Sequence, residues 1–203
     1  MTGRSELTLA IEAAISGGSL ALLDRDAVLA SWTNDRPVSR AEDLLREIDS
    51  MLRGNGAKPQ DLDLIAVSAG PGSFTGIRIG QATALGFKNA LDISMRSISA
   101  LEAIASEYSS PSSLLVALPV GRNAVAVLNG QSGVVSVTEM SLLYSAVQMD
   151  AATTYILHTD LASEIGEVSN VVDAGKNVAS AVGRAARSHE VDNREPIFLN
   201  KSF

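Results

Sequence analysis

The run Gly70-Pro71-Gly72-Ser73-Phe74-Thr75-Gly76 is the stretch of this 203-residue chain whose residue types could do chemistry. Glycines that lead into a helix start can aim free backbone N–H groups at a phosphate, and the helix dipole favours the anion there. The spacing fits neither G-x-G-x-x-G nor the form that closes in Gly-Lys-Ser/Thr. Glycine also serves where a turn needs positive φ or where two backbones meet, and Gly76, Gly80 and Ala84 recur at four-residue spacing as a groove for another element. We therefore read the run as packing. Metal chemistry has less to work with: His158 and His189 make no pair at helical spacing, and the chain has no cysteine. Neither a metal nor a cofactor is expected.

Residues 64–69 are a short apolar run suited to a buried strand, and the glycines end it abruptly. Ser73 or Thr75 can cap the helix that starts at Phe74 and continues to about residue 91. Before this strand–turn–helix unit come strand candidates at residues 7–14, 19–23 and 27–33 and a helix over 39–54. Ser39 and Glu42 have capping-box spacing, and Ala41, Leu44, Leu45, Ile48 and Leu52 make one apolar face. A strand near 95–98 and a helix near 100–108 follow, then the polar break Ser109-Ser110-Pro111-Ser112-Ser113.

The order then repeats. Strand candidates at 114–118, 123–128 and 133–138 precede a helical stretch at 142–149, a strand at 155–158 and a helix at 161–167. A strand at 171–174 and a closing helix over 176–190, with Val178, Ala181, Val182 and Ala185 on one face, complete the second half. Two lobes are expected, 1–108 and 109–203. With 46% hydrophobic residues the chain can bury a core, and a net charge of −7 without a cluster of Lys and Arg excludes unaided nucleic-acid binding. No apolar run is long enough for a membrane span and MTGRSEL carries no apolar leader region, so a cytoplasmic location is expected.

AGPGSFTGIRIG, residues 69–80, closely resembles the signature of the TsaB (YeaZ) family, whose members take part in making threonylcarbamoyladenosine in tRNA. Lesser agreement covers LAIEAAISGGSLAL, the helix after Ser39, the Arg122 region and Glu195-Pro196-Ile197-Phe198-Leu199. The resemblance implies an α/β fold of two actin-like, RNase H-like (ASKHA) lobes, each a mixed sheet with flanking helices, the second reduced. It also implies a non-catalytic partner of a TsaD-like subunit that transfers the threonylcarbamoyl group, joined by a TsaE-like ATPase. Glu12 stands where the family's first strand usually ends in aspartate, and Pro119-Val120-Gly121-Arg122 replaces the family's Asp-Ala-Arg. A histidine common before the first helix is absent near Val38. Kinases and ATPases of such folds hold hydrated Mg²⁺ with paired acidic residues, and only Glu12 of such a pair remains. A nucleotide-binding or ATP-hydrolysing enzyme is thus the alternative to the scaffold.

On a helical wheel, Gly76, Gly80, Thr83, Phe87 and Leu91 share the face expected to pack on the sheet, with Ile79 and Ala90 at its flank. Arg78, Gln81, Leu85 and Lys88 lie opposite, bordered by Ile77 and Ala82. The resemblance makes this the partner surface, with Arg78, Gln81, Ala82 and Leu85 as interface residues. The pure chain is expected to self-associate weakly through it.

Overall fold

Alternation along β1 (Leu7–Glu12) sets the layering of the molecule. Leu9 and Ile11 project to one face of the sheet and Ala10 to the other, and all three are fully buried, so the strand is apolar throughout. The computed structural model describes residues 6–34, 36, 41–109, 113–188 and 195–197. In it β2 (Ser19–Asp24), β3 (Ala27–Thr33), β4 (Leu62–Gly70) and β5 (Ser94–Ser99) join β1 in the order β3-β2-β1-β4-β5. The first three strands are antiparallel, and β1, β4 and β5 are parallel.

The second sheet repeats this plan. β6 (Leu114–Pro119), β7 (Ala124–Asn129), β8 (Val135–Glu139), β9 (Thr154–Leu157) and β10 (Val171–Asp173) run in the order β10-β9-β6-β7-β8. β6 to β8 are antiparallel, and β6, β9 and β10 are parallel. Each mixed five-stranded sheet thus follows the element order read from the sequence, and β9 and β10 are only four and three residues long.

Five layers result. α1 (Ala41–Gly54) and α2 (Phe74–Leu91) cover the outer face of the first sheet, with Leu44, Ile48, Met51, Leu52 and Ala84 packed on Leu9, Ile11, Leu20 and Ile65. α4 (Met140–Met149) and α5 (Thr159–Ile165) cover the second sheet, with Leu143, Val147 and Leu161 packed on Val125, Tyr155 and Leu157. α3 (Ala100–Ala105) and α6 (Val178–Ser188) form the middle layer, where one core takes side chains from both sheets. A short 3₁₀ turn, Pro59–Asp61, leads into β4.

α6, the helix that closes the second half of the sequence, lies on β1 and β2 of the first sheet. Its small residues allow that approach: a Cβ on Gly183 would stand 2.5 Å from Leu23 Cδ1 and 3.1 Å from Ala10 Cβ. Ser19 of β2 accepts the Ala179 N–H at 3.0 Å, and the Asn177 amide donates to Leu20 O at 3.0 Å and Trp32 O at 3.1 Å. α3 ends earlier than expected, at Ala105. Ser39, Ser110, Pro111, Ser112 and His189 lie outside the described residues. No helix among the described residues is long and apolar enough to cross a membrane.

Candidate functional site

The turn between β4 and α2 is built by backbones that touch. Gly70 has φ +95°, and a cis peptide bond joins it to Pro71, which is buried. A Cβ on Gly70 would lie 2.8 Å from Ile77 Cδ1 and 3.1 Å from Ile197 O, and the Ile197 N–H donates to Ala69 O at 2.6 Å. Ser73 caps α2 by accepting the Gly76 N–H, and its own N–H donates to Ala14 O at 2.8 Å. A Cβ on Gly76 would stand 2.1 Å from Ala13 O, and one on Gly72 would stand 2.6 Å from Ala14 Cβ. The loop after β1 therefore covers the start of α2, where a phosphate would have to sit. Gly80 differs: its Cβ would meet nothing closer than 3.5 Å, so the four-residue spacing joins two unlike positions.

The exposed side of α2 is a stripe one turn apart per step. Phe74 is 57% and Leu85 47% exposed, Thr75, Arg78, Ala82 and Lys88 are exposed, and the Arg78 guanidinium lies 5.3 Å from the centre of the Phe74 ring. On α1, which packs beside α2, Leu45 is 51% exposed while its neighbour Leu44 is buried. Gln81 is a correction. Its amide donates to Ser68 O at 3.2 Å and Ser97 Oγ at 2.8 Å, so it turns toward β4 and β5 rather than outward. Ile77 and Ala84 are fully buried, which rotates the sheet-facing side toward them from the Thr83–Phe87 line read on the wheel. Phe74, read only as part of the glycine signature, is the outward residue the wheel missed; its place at the first helical position, before any turn lies above it, was the available signal.

Glu12 turns back onto its own loop. It is 1% exposed, and its Oε1 accepts the Ala14 N–H at 2.5 Å and the Ile15 N–H at 3.0 Å. Burial pushes its carboxyl up to about 8 against the pull of those two N–H groups, so the side chain is mostly protonated at neutral pH. It shapes the loop that α2 packs on. His158 is also 1% exposed; its Nδ1 accepts the Asp160 N–H at 3.2 Å at the start of α5, and burial lowers its pKa, which keeps the ring neutral. No group of three His, Cys, Asp or Glu among the described residues could hold a metal ion.

A cavity of about 270 Å³ opens between the two halves, lined by Ser16, Asn34 and Arg36 on one side and His158, Asp160 and Lys176 on the other. Asp160 crosses it: Oδ2 accepts the Ser16 hydroxyl at 2.5 Å, and Oδ1 lies 3.8 Å from Lys176 Nζ. Arg122 lies elsewhere, exposed beside Glu139 and Tyr144 in a separate cavity of about 480 Å³.

The family model described as TsaD, tRNA N6-adenosine threonylcarbamoyltransferase, matches residues 38–152. The tRNA threonylcarbamoyladenosine biosynthesis protein TsaB of Bacillus subtilis (strain 168) is 35% identical over 97 residues, 48% of this chain and 42% of that protein. An uncharacterized protein of Mycobacterium leprae (strain TN) is 46% identical over 44 residues, 22% of this chain and 12% of that one. The chain thus matches less than half the length of these curated relatives. In fold it is similar to YeaZ from Pseudomonas aeruginosa, at TM-score 0.65 and 22% identity over 96% of this chain and all of that one. A Pseudomonas aeruginosa protein with similarity to peptidase YEAZ gives TM-score 0.67 at the same identity and coverage. The ethanolamine utilization protein EutJ from Carboxydothermus hydrogenoformans gives 0.52 at 11% identity, covering 89% of this chain and 88% of that one.

Proposed function

Because this chain belongs to the TsaB (YeaZ) family, within reach of the TsaD model over more than half its length, we propose that it works in tRNA threonylcarbamoyladenosine formation as a non-catalytic partner of a TsaD-like subunit. The observation that carries this reading is the exposed stripe Phe74, Arg78, Ala82 and Leu85 on the helix that bears the family signature. An apolar group flanked by a cation and small side chains on a rigid helix suits a desolvated protein contact. In the absence of that partner the same stripe would pair two copies weakly. A TsaE-like ATPase enters only through the family resemblance, and tRNA would be brought by the partner, since the chain carries a net charge of −7.

The non-catalytic part of the proposal is supported by two features. Glu12 is buried with its carboxyl pKa raised and its Oε1 spent on its own loop, and the glycine turn is filled by Ala13 and Ala14. In this reading the chain supplies a surface, and the transfer chemistry belongs to the TsaD-like subunit. Deletion in the native cell, with tRNA nucleosides measured by mass spectrometry, tests it: threonylcarbamoyladenosine should fall and return on re-expression, and an unchanged level would count against the proposal. The enzymatic alternative would gain from ATP turnover by the pure chain above about 1 s⁻¹, an ordinary enzymatic rate.

A further inference from the structure

We propose that Asp160 is a latch across the interlobe cavity that fixes the loop after β1 and, through that loop, the first turn of α2. Ser16, Gly17 and Gly18 have φ of +43°, +88° and +95°, so the loop holds three successive left-handed residues, the first of them not glycine. Such a backbone persists where its surroundings hold it. Glu12 holds it from inside through the Ala14 and Ile15 N–H groups. Asn34 ties it to the end of β3, its N–H to Gly18 O at 3.0 Å and its amide to Gly17 O at 3.1 Å. Asp160 is the tie from the far side of the cavity, taking the Ser16 hydroxyl while Lys176 stands by its other oxygen.

The opposite end of the same loop is the seat of α2. Ala14 O accepts the Ser73 N–H, and Ala13 and Ala14 abut Gly72 and Gly76 without an intervening side chain. Contacts between backbones leave no rotamer to absorb a shift, so displacement at Ser16 is passed to Ser73 and Gly76 over a loop only a few residues long. Cavity and helix are thus coupled, whatever α2 meets in the cell.

Amide hydrogen exchange of the full chain, followed residue by residue in NMR spectra, tests this without any partner. In Asp160→Ala, exchange at Ala14, Ile15, Ser73 and Ile77 should rise about threefold or more while the α4 amides keep their wild-type rates, as expected for local rather than global opening. Asp160→Asn keeps an oxygen for Ser16 and should restore most of the protection. Ser16→Ala removes the other half of the latch, should reproduce the Asp160→Ala pattern, and decides the matter if Asp160→Ala does not fold. Val147→Ala, which loosens the α4 side of the second sheet, should leave Ser73 and Ile77 unchanged. The proposal falls if Ser73 and Ile77 exchange at wild-type rates without the latch, or if α4 loosens equally.

Discussion

Gly76→Ala and Gly80→Ala should move stability in opposite directions, although both glycines sit inside α2. At Gly76 the new methyl carbon would stand 2.1 Å from Ala13 O, 2.7 Å from Ala14 Cα and 2.8 Å from Ala13 C, all backbone atoms. Reaching an ordinary contact requires α2 to lift off the loop by more than an ångström. Overpacking of this kind costs roughly 1–3 kcal/mol, and the Ser73–Ala14 hydrogen bond, worth about 1 kcal/mol, stretches with it. Alanine returns about 1 kcal/mol of helix propensity, which leaves a net loss of roughly 1–3 kcal/mol. For a chain of this size that lowers Tm by about 2–12 °C. Gly80→Ala meets its neighbours at 3.5 Å or more, so the propensity gain stands and Tm rises by about 2–4 °C. Thermal unfolding followed by circular dichroism, with urea titration as a check on the slope, is the assay. A Gly76→Ala protein as stable as wild type would show that the loop does not press on α2.

Glu12 gives a pH signature. Between about 4.5 and 8 the folded chain holds a proton that the unfolded chain has released, so stability falls as pH rises through that window, by at most ~1.4 kcal/mol per unit. Glu12→Gln should remove this slope and be more stable than wild type near pH 8, with the advantage shrinking toward pH 4.5; parallel urea midpoints across the range would refute the buried acid. His158, with its lowered pKa, acts in the other direction, its contribution being lost as pH drops below the ordinary 6.5. Gln81→Ala should cost about 1–2 kcal/mol by removing the amide that donates to Ser68 O and Ser97 Oγ, seen as a lower urea midpoint, and a neutral effect would mean the amide is not held.

The strands and the order of elements along the chain were legible because alternating and continuous apolar runs mark them directly, whereas the two-sheet architecture came from the family resemblance. β1, buried on both faces, and α1, apolar at Leu44, Ile48 and Leu52, follow from residue type alone. What sequence spacing could not tell was which neighbour each residue meets. Gly76 and Gly80 look alike on a wheel, and only the path of the loop after β1 separates them. Gln81 reads as a surface amide until Ser68 and Ser97, on two different strands, arrive beneath it. Glu12 reads as a lone carboxylate left at a strand end, and nothing local says that it bends back to Ala14 and Ile15. The sheet that α6 meets is hidden for the same reason: Gly183 and the alanines around it announce close packing but not the partner.

The surface claim is tested most directly by the affinity of Leu85→Glu for a purified TsaD-like subunit. Leu85 is 47% exposed and contributes little to the core, so the variant should keep its fold and Tm. A charge within an apolar contact should abolish measurable binding, and with it any self-association through the stripe, whereas Lys58→Ala, at an exposed position outside α2, should change neither. Isothermal titration of the wild-type and variant chains decides: loss of binding by a folded Leu85→Glu protein is the expected result, and binding at wild-type affinity would contradict the account.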